Sequence, residues 1–205
     1  MKIVIYIIFT ILLLVFSFYI FRVLVRKDYQ NKGRTTWITI ILETLIFALH
    51  ANFSYLFIPA VWPNLPSLPS DILQLSIGFS LICSGIITTL IAMISLGFKR
   101  LFGQESDSIK QSFFYGFTRN PQLVAYGFAV IGFAVLWPSW YSFFWIFLYG
   151  LIAHMMIITE EEYLHKMYGK AYEQYCKQVP RYIKINFRGN RYVYVLRTSP
   201  LPSPQ

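Results

Sequence analysis

Apolar runs of membrane-crossing length are the strongest constraint on what this chain can fold into. Ile3 to Val25 is apolar but for Arg22 near its end, and a helix rising about 1.5 Å per residue crosses a bilayer core in roughly 20 residues. A cleaved leader would be shorter and would end in a small-residue site; this run ends in Arg22, Arg26 and Lys27 and reads as a retained first span. Four more runs follow: Trp37 to about Val61, Ile72 to Phe98, Gln122 to Trp137 and Trp140 to Thr159. The last two are short, joined by the uncharged turn Pro138-Ser139, and read as a helical hairpin.

Charge placement orients these runs. The chain is 56% hydrophobic and only 13% charged, which describes a polytopic membrane protein and not a soluble core. Aromatic residues make up 19%, as interfacial belts and packed bundles require. The net charge of +9 lies in loops flanking the apolar runs, with no folded basic face, which excludes nucleic acid as a partner. Arg26, Lys27, Lys32 and Arg34 mark one inner loop, and Lys99, Arg100, Lys110 and Arg119 a second. The stretch holding Pro59, Pro63, Pro66 and Pro69 lacks Lys and Arg and belongs outside. The fold class expected is therefore an all-α integral membrane protein. It has about five transmembrane helices, an outside N-terminus, a short C-terminal helical hairpin and a cytosolic tail.

Beyond Thr159 the helix is expected to continue to Gly169, with a second amphipathic helix over Lys170 to Gln178 and Pro180 as a stop. Ile183, Ile185 and Phe187, then Gly189-Asn190, then Tyr192 to Val195 alternate as in a small β-hairpin. Ser199 to Gln205 carries three prolines and is expected to be disordered. The organisation expected is residues 1–100 as three N-terminal spans, 101–181 as the functional core and 182–205 as a tail.

Polar residues within the runs are the candidates for chemistry. Glu43 and His50, seven apart, share a helical face; they form either a buried hydrogen-bonded pair or part of a cavity wall. Asn120-Pro121 suits a helix start, with Asn as cap and Pro in the first turn. Such a start also offers free N–H groups and a positive dipole end to an anionic group, and Arg119 beside it adds a cationic fork. The run Glu160-Glu161-Glu162 is acidic where the inner flank of a span should be basic. Glu161 lies about 100° round the helix from Glu160, so one carboxylate can point into the bundle while others face water. A carboxylate on a pocket wall suits a ribose hydroxyl or an ammonium group. His154 is either a hydrogen-bonded span residue or a functional one. Three His and two Cys (Cys83 and Cys176) are scattered, giving neither metal-ligand spacing nor a disulfide framework.

Arg119, Pro121, Glu160, Glu161, Leu164, Tyr168, Gly169, Tyr172, Tyr175, Val179, Pro180 and Arg181 form an ordered set. The set resembles the isoprenylcysteine carboxyl methyltransferase family, with its phospholipid methyltransferase relatives, over roughly Asp107 to Arg181. The resemblance implies an S-adenosylmethionine-dependent methyltransferase of the membrane acting on a lipidic or prenylated acceptor. It implies cofactor contacts from Ser108, Ile109, Lys110, Tyr115, Asn120, Pro121, Gln122, Leu123 and Glu160. Arg119 would orient the acceptor, and Glu161 or His154 would take a proton from an amine acceptor. The chain departs from the family at three positions. Asn120 stands where His is usual, Phe113 where Gly is common, and Met156 where members acting on prenylcysteine carry a substrate-binding Arg. Two other readings follow from the same residues: an NADPH-dependent sterol-type reductase, whose relatives share an Arg-His-Pro hairpin, and a non-enzymatic membrane protein that keeps the fold.

Overall fold

The computed structural model describes residues 2–54, 66–96 and 113–183. The expected C-terminal β-hairpin, the proline-rich end and the candidate residues Ser108, Ile109 and Lys110 lie outside them. Every regular element among the described residues is helical: α1 (Lys2–Tyr19), a π-helical segment (Ile20–Val25), α2 (Arg26–Lys32), α3 (Trp37–Phe53), α4 (Ile72–Leu96), a 3-10 turn (Phe113–Gly116), α5 (Pro121–Leu136), α6 (Trp140–Tyr168) and α7 (Lys170–Gln178).

Three helices are long and apolar enough to cross a membrane: Ile3–Lys32, Ile72–Ser95 and Trp140–Tyr168. α3 and α5 are apolar but shorter, at 17 and 16 residues. Ile8, Leu12 and Val15 on α1, and Phe143, Phe144 and Phe147 on α6, stay exposed. Apolar side chains on that scale suit lipid and not water. The protein is a membrane protein.

The turn after α2 is set by local polar chemistry. Gly33 takes the left-handed conformation (φ 64°) that ends the helix. The Asp28 carboxylate then accepts from the Thr36 amide and from the Thr36 and Thr39 hydroxyls. This folds α3 back along α1, so that Tyr6 near the start of one stacks on Phe53 at the end of the other, centroids 4.6 Å apart. α6 completes this core, burying Trp145, Leu148 and Ile152 against Phe21, Ile46 and Phe53. His50 is fully buried there. Its ring lies parallel to Trp145 at 4.9 Å, its Nε2 bonds the Trp145 carbonyl at 3.1 Å, and the Trp145 indole donates to the His50 carbonyl at 2.8 Å.

Glycine lets α4 and α5 meet backbone to backbone. A Cβ on Gly85 would sit 2.6 Å from the Ala125 carbonyl oxygen, and one on Gly132 would sit 2.7 Å from the Gly78 oxygen. With little hydrophobic drive between helices in lipid, such close approach is a main source of association. Gly85→Val should force the pair apart, costing about 1–3 kcal/mol or more because backbone cannot yield as a side chain does. Thermal unfolding in detergent checks this; an unchanged melting temperature would contradict the packing.

Candidate functional site

The three consecutive carboxylates on α6 face three different environments, as a helical step of about 100° per residue requires. Glu162 faces α1 and α2, pairing with Arg22 Nη2 at 2.7 Å and Arg26 Nε at 3.1 Å. Arg22 comes from the π-helical segment and also donates to the Thr159 hydroxyl at 3.1 Å. Glu161 faces the start of α5 and is largely buried. Its Oε1 pairs with Arg119 Nη1 at 2.9 Å, and its Oε2 accepts from Arg181 Nε at 2.9 Å and from Arg181 Nη2. Glu160 is half-buried, and no described residue hydrogen-bonds or ion-pairs with it.

Around Arg119 the chain makes a knot of long-range bonds. The Arg119 amide donates to the Pro180 carbonyl at 3.0 Å, and Nη1 reaches Cys176 Sγ at 2.6 Å. The Thr118 hydroxyl and the Asn120 side-chain amide both donate to the Arg181 carbonyl at 3.1 Å. The Tyr175 hydroxyl donates to the Tyr115 carbonyl at 3.0 Å. Burial pushes the Tyr115, Tyr172 and Tyr175 phenols well above their ordinary values, so all three stay protonated. The hydrogen bond to Glu161 raises Arg181 above its ordinary value. A polar cavity of about 630 Å³ opens beside this knot, lined by Arg119, Glu161, Tyr172, Cys176 and Arg181 among others.

Asn120 holds the cap position of α5 with Pro121 in the first turn, but its side chain does not cap the helix. Its amide is turned to the Arg181 carbonyl instead, because the Val179–Arg181 segment runs beside it. The start of α5 therefore keeps its positive dipole end without a capping oxygen. Gln122 and Leu123, in that first turn, line a second cavity of about 470 Å³ between α3, α4, α5 and α6. Gln122 Oε1 accepts from the Tyr115 hydroxyl at 3.0 Å. Glu160 lies within electrostatic range of Tyr115, Tyr175 and Glu43.

The structure thus places Gln122 and Leu123 on the wall of the second cavity, with Tyr115 bonded to Gln122 and Glu160 within electrostatic range of Tyr115, and it draws Arg119, Asn120 and Glu161 into the adjoining knot. His154 lies apart, its Nδ1 on the Tyr182 hydroxyl at 2.5 Å, and it lines neither cavity. Among the described residues no cluster of three His, Cys, Asp or Glu could hold a metal. Sequence reasoning did not pick out Arg22, Arg26, Cys176 and Arg181 as partners of this corner. The available signal was a charge match: three carboxylates in a row need cations, and four arginines answer two of them.

Apolar helices around an internal space, with ionic groups gathered at one end, are the architecture of a membrane protein. The family model described as phospholipid methyltransferase matches residues 73–171, from the first turn of α4 into α7. This stretch carries the domain of the phospholipid methyltransferase family, which includes isoprenylcysteine carboxyl methyltransferase-like proteins. No curated protein and no solved structure gives a significant match.

Proposed function

We propose that the protein is an S-adenosylmethionine-dependent methyltransferase acting on a lipidic acceptor, with five spans and a cytosolic C-terminus. The observation that carries this reading is Glu160, a carboxylate with no described partner, within electrostatic range of Tyr115. An ionisable group at membrane depth without a partner points to a ligand. The donor set fits a sulfonium nucleoside. Glu160 would take hydroxyl or ammonium hydrogens, Tyr115 and Gln122 form a hydrogen-bonded wall, and Leu123 supplies apolar surface. Asn120 and Pro121 shape the turn, and Ser108, Ile109 and Lys110 complete the contacts in this scheme. The cofactor supplies an electrophilic methyl group.

The chain's own part is to bind, orient and exclude water. The 470 Å³ cavity is walled mainly by Phe47, Ala48, Ala51, Met93, Tyr126 and Met156, which suits an acceptor entering with an apolar tail. Arg119 orients the acceptor side of the corner while Glu161 holds its guanidinium and the Pro180 carbonyl its backbone amide. An amine acceptor adds the removal of a proton, for which Glu161 and His154 are the candidate groups. Isoprenylcysteine carboxylate is the alternative acceptor. Met156 on the cavity wall, in place of an Arg, counts against it.

Incubating purified protein with methyl-labelled S-adenosylmethionine and a native lipid extract tests the proposal. A labelled lipid is the expected product, and its identity fixes the acceptor atom. Binding of NADPH with no binding of S-adenosylmethionine would select the reductase instead, and binding of neither would select the non-enzymatic reading.

A further inference from the structure

Glu43 is the residue that the family stretch and the resemblance leave unexplained. It sits on α3, thirty residues before the matched segment begins, and its side chain faces the 470 Å³ cavity. It is 8% exposed, and no described residue hydrogen-bonds or ion-pairs with it. The other polar groups on that wall are satisfied. The Thr44 hydroxyl donates to the Ile40 carbonyl, the Thr89 hydroxyl to the Gly85 and Gln122 carbonyls, and Gln122 Oε1 accepts from Tyr115. Among the described residues no Lys, Arg or His lines the cavity. His50, one face-repeat along α3, is by contrast locked onto Trp145.

A carboxylate buried among apolar side chains is costly unless something pairs with it. Two such groups, Glu43 and Glu160, lie within electrostatic range of each other and repel. A single cationic cofactor at Glu160 balances one of them. Resting on the methyltransferase reading, we propose that Glu43 docks the head group of the acceptor, and that it selects heads donating N–H or O–H hydrogens over carboxylates. The polar anchor of the acceptor site is then supplied by a helix outside the matched stretch, while Leu123, Tyr126 and Met156 receive the tail. A carboxylate head would place a second negative charge against Glu43, with no cation among the described wall residues to offset it.

The test measures binding, not turnover. Wild-type protein in neutral detergent is titrated with octadecylamine, octadecanol and stearate, and binding is read by quenching of intrinsic aromatic fluorescence. A hydrogen bond to a charged group contributes about 1.5–3 kcal/mol, so amine and alcohol should bind about tenfold or more tighter than stearate. Glu43→Gln should reduce that preference to about threefold or less. Equal affinity of wild-type protein for the three amphiphiles would overturn the proposal without any variant, and so would a preference that survives Glu43→Gln. If wild-type protein keeps the Glu43-dependent preference but binds no S-adenosylmethionine, head-group docking stands and the methyltransferase reading falls.

Discussion

Glu160→Gln should abolish measurable S-adenosylmethionine binding, while Glu162→Gln should leave it nearly intact. The two carboxylates are two positions apart on one helix but have opposite surroundings. Glu162 is partly exposed and already neutralised by Arg22 and Arg26. Glu160 has no described partner and lies within electrostatic range of Tyr115. With both its oxygens taking ligand hydrogens, each charge-assisted bond contributes about 1.5–3 kcal/mol; Gln loses one bond outright and the charge that strengthens the other, so binding weakens by roughly a hundredfold or more. Gln keeps the shape of the side chain and removes the charge and one acceptor, so a loss of binding reports chemistry and not a cavity. Calorimetry in detergent on the two variants checks the pair. Wild-type affinity in Glu160→Gln would remove this residue from the cofactor site.

The contrast between neighbours shows what could be learned before any coordinates. Apolar run length located α1, α4 and α6, and the Pro138-Ser139 break located the turn that Ser139 and Ser142 cap. The stop at Gly169 was legible because glycine tolerates the positive φ (49°) found there. Helical periodicity also showed that the three glutamates must diverge. It could not say what each would meet, since Arg22 is 140 residues from Glu162 and the pairing depends on how α1 packs against α6. The same limit applies to Asn120. Its residue type fits a helix cap, but the strand of chain at Val179–Arg181 competes for its amide and wins. Glu43 and His50 share a face by spacing, yet one is stacked on Trp145 and the other opens on a cavity. Period assigns faces; only the assembled bundle assigns neighbours.

Removing Glu161 should produce the largest loss of stability of any single charge change in the described protein. Its side chain is 13% exposed and that of Arg119 is 11% exposed, so Glu161→Ala leaves a buried guanidinium without its counter-charge. Breaking a buried pair in this way costs about 3–5 kcal/mol. Glu162→Ala breaks pairs with Arg22 and Arg26 at a more exposed position, where screening reduces the effect to about 0–1 kcal/mol. Local unfolding should accompany the global effect. Arg181 loses its carboxylate, and the Arg119 amide and Asn120 side chain then hold the Val179–Arg181 segment only through neutral hydrogen bonds. Hydrogen exchange at the Arg119 amide and proteolysis near Arg181 should both accelerate in Glu161→Ala and stay at wild-type rates in Glu162→Ala. The double variant Arg119→Met, Glu161→Leu separates charge from packing: apolar replacement of both partners should recover most of the lost stability. That rescue would identify the pair as a clamp on the corner that a ligand at Glu160 depends on. A Glu161→Ala protein no less stable than Glu162→Ala would mean that the corner is held by its backbone bonds alone.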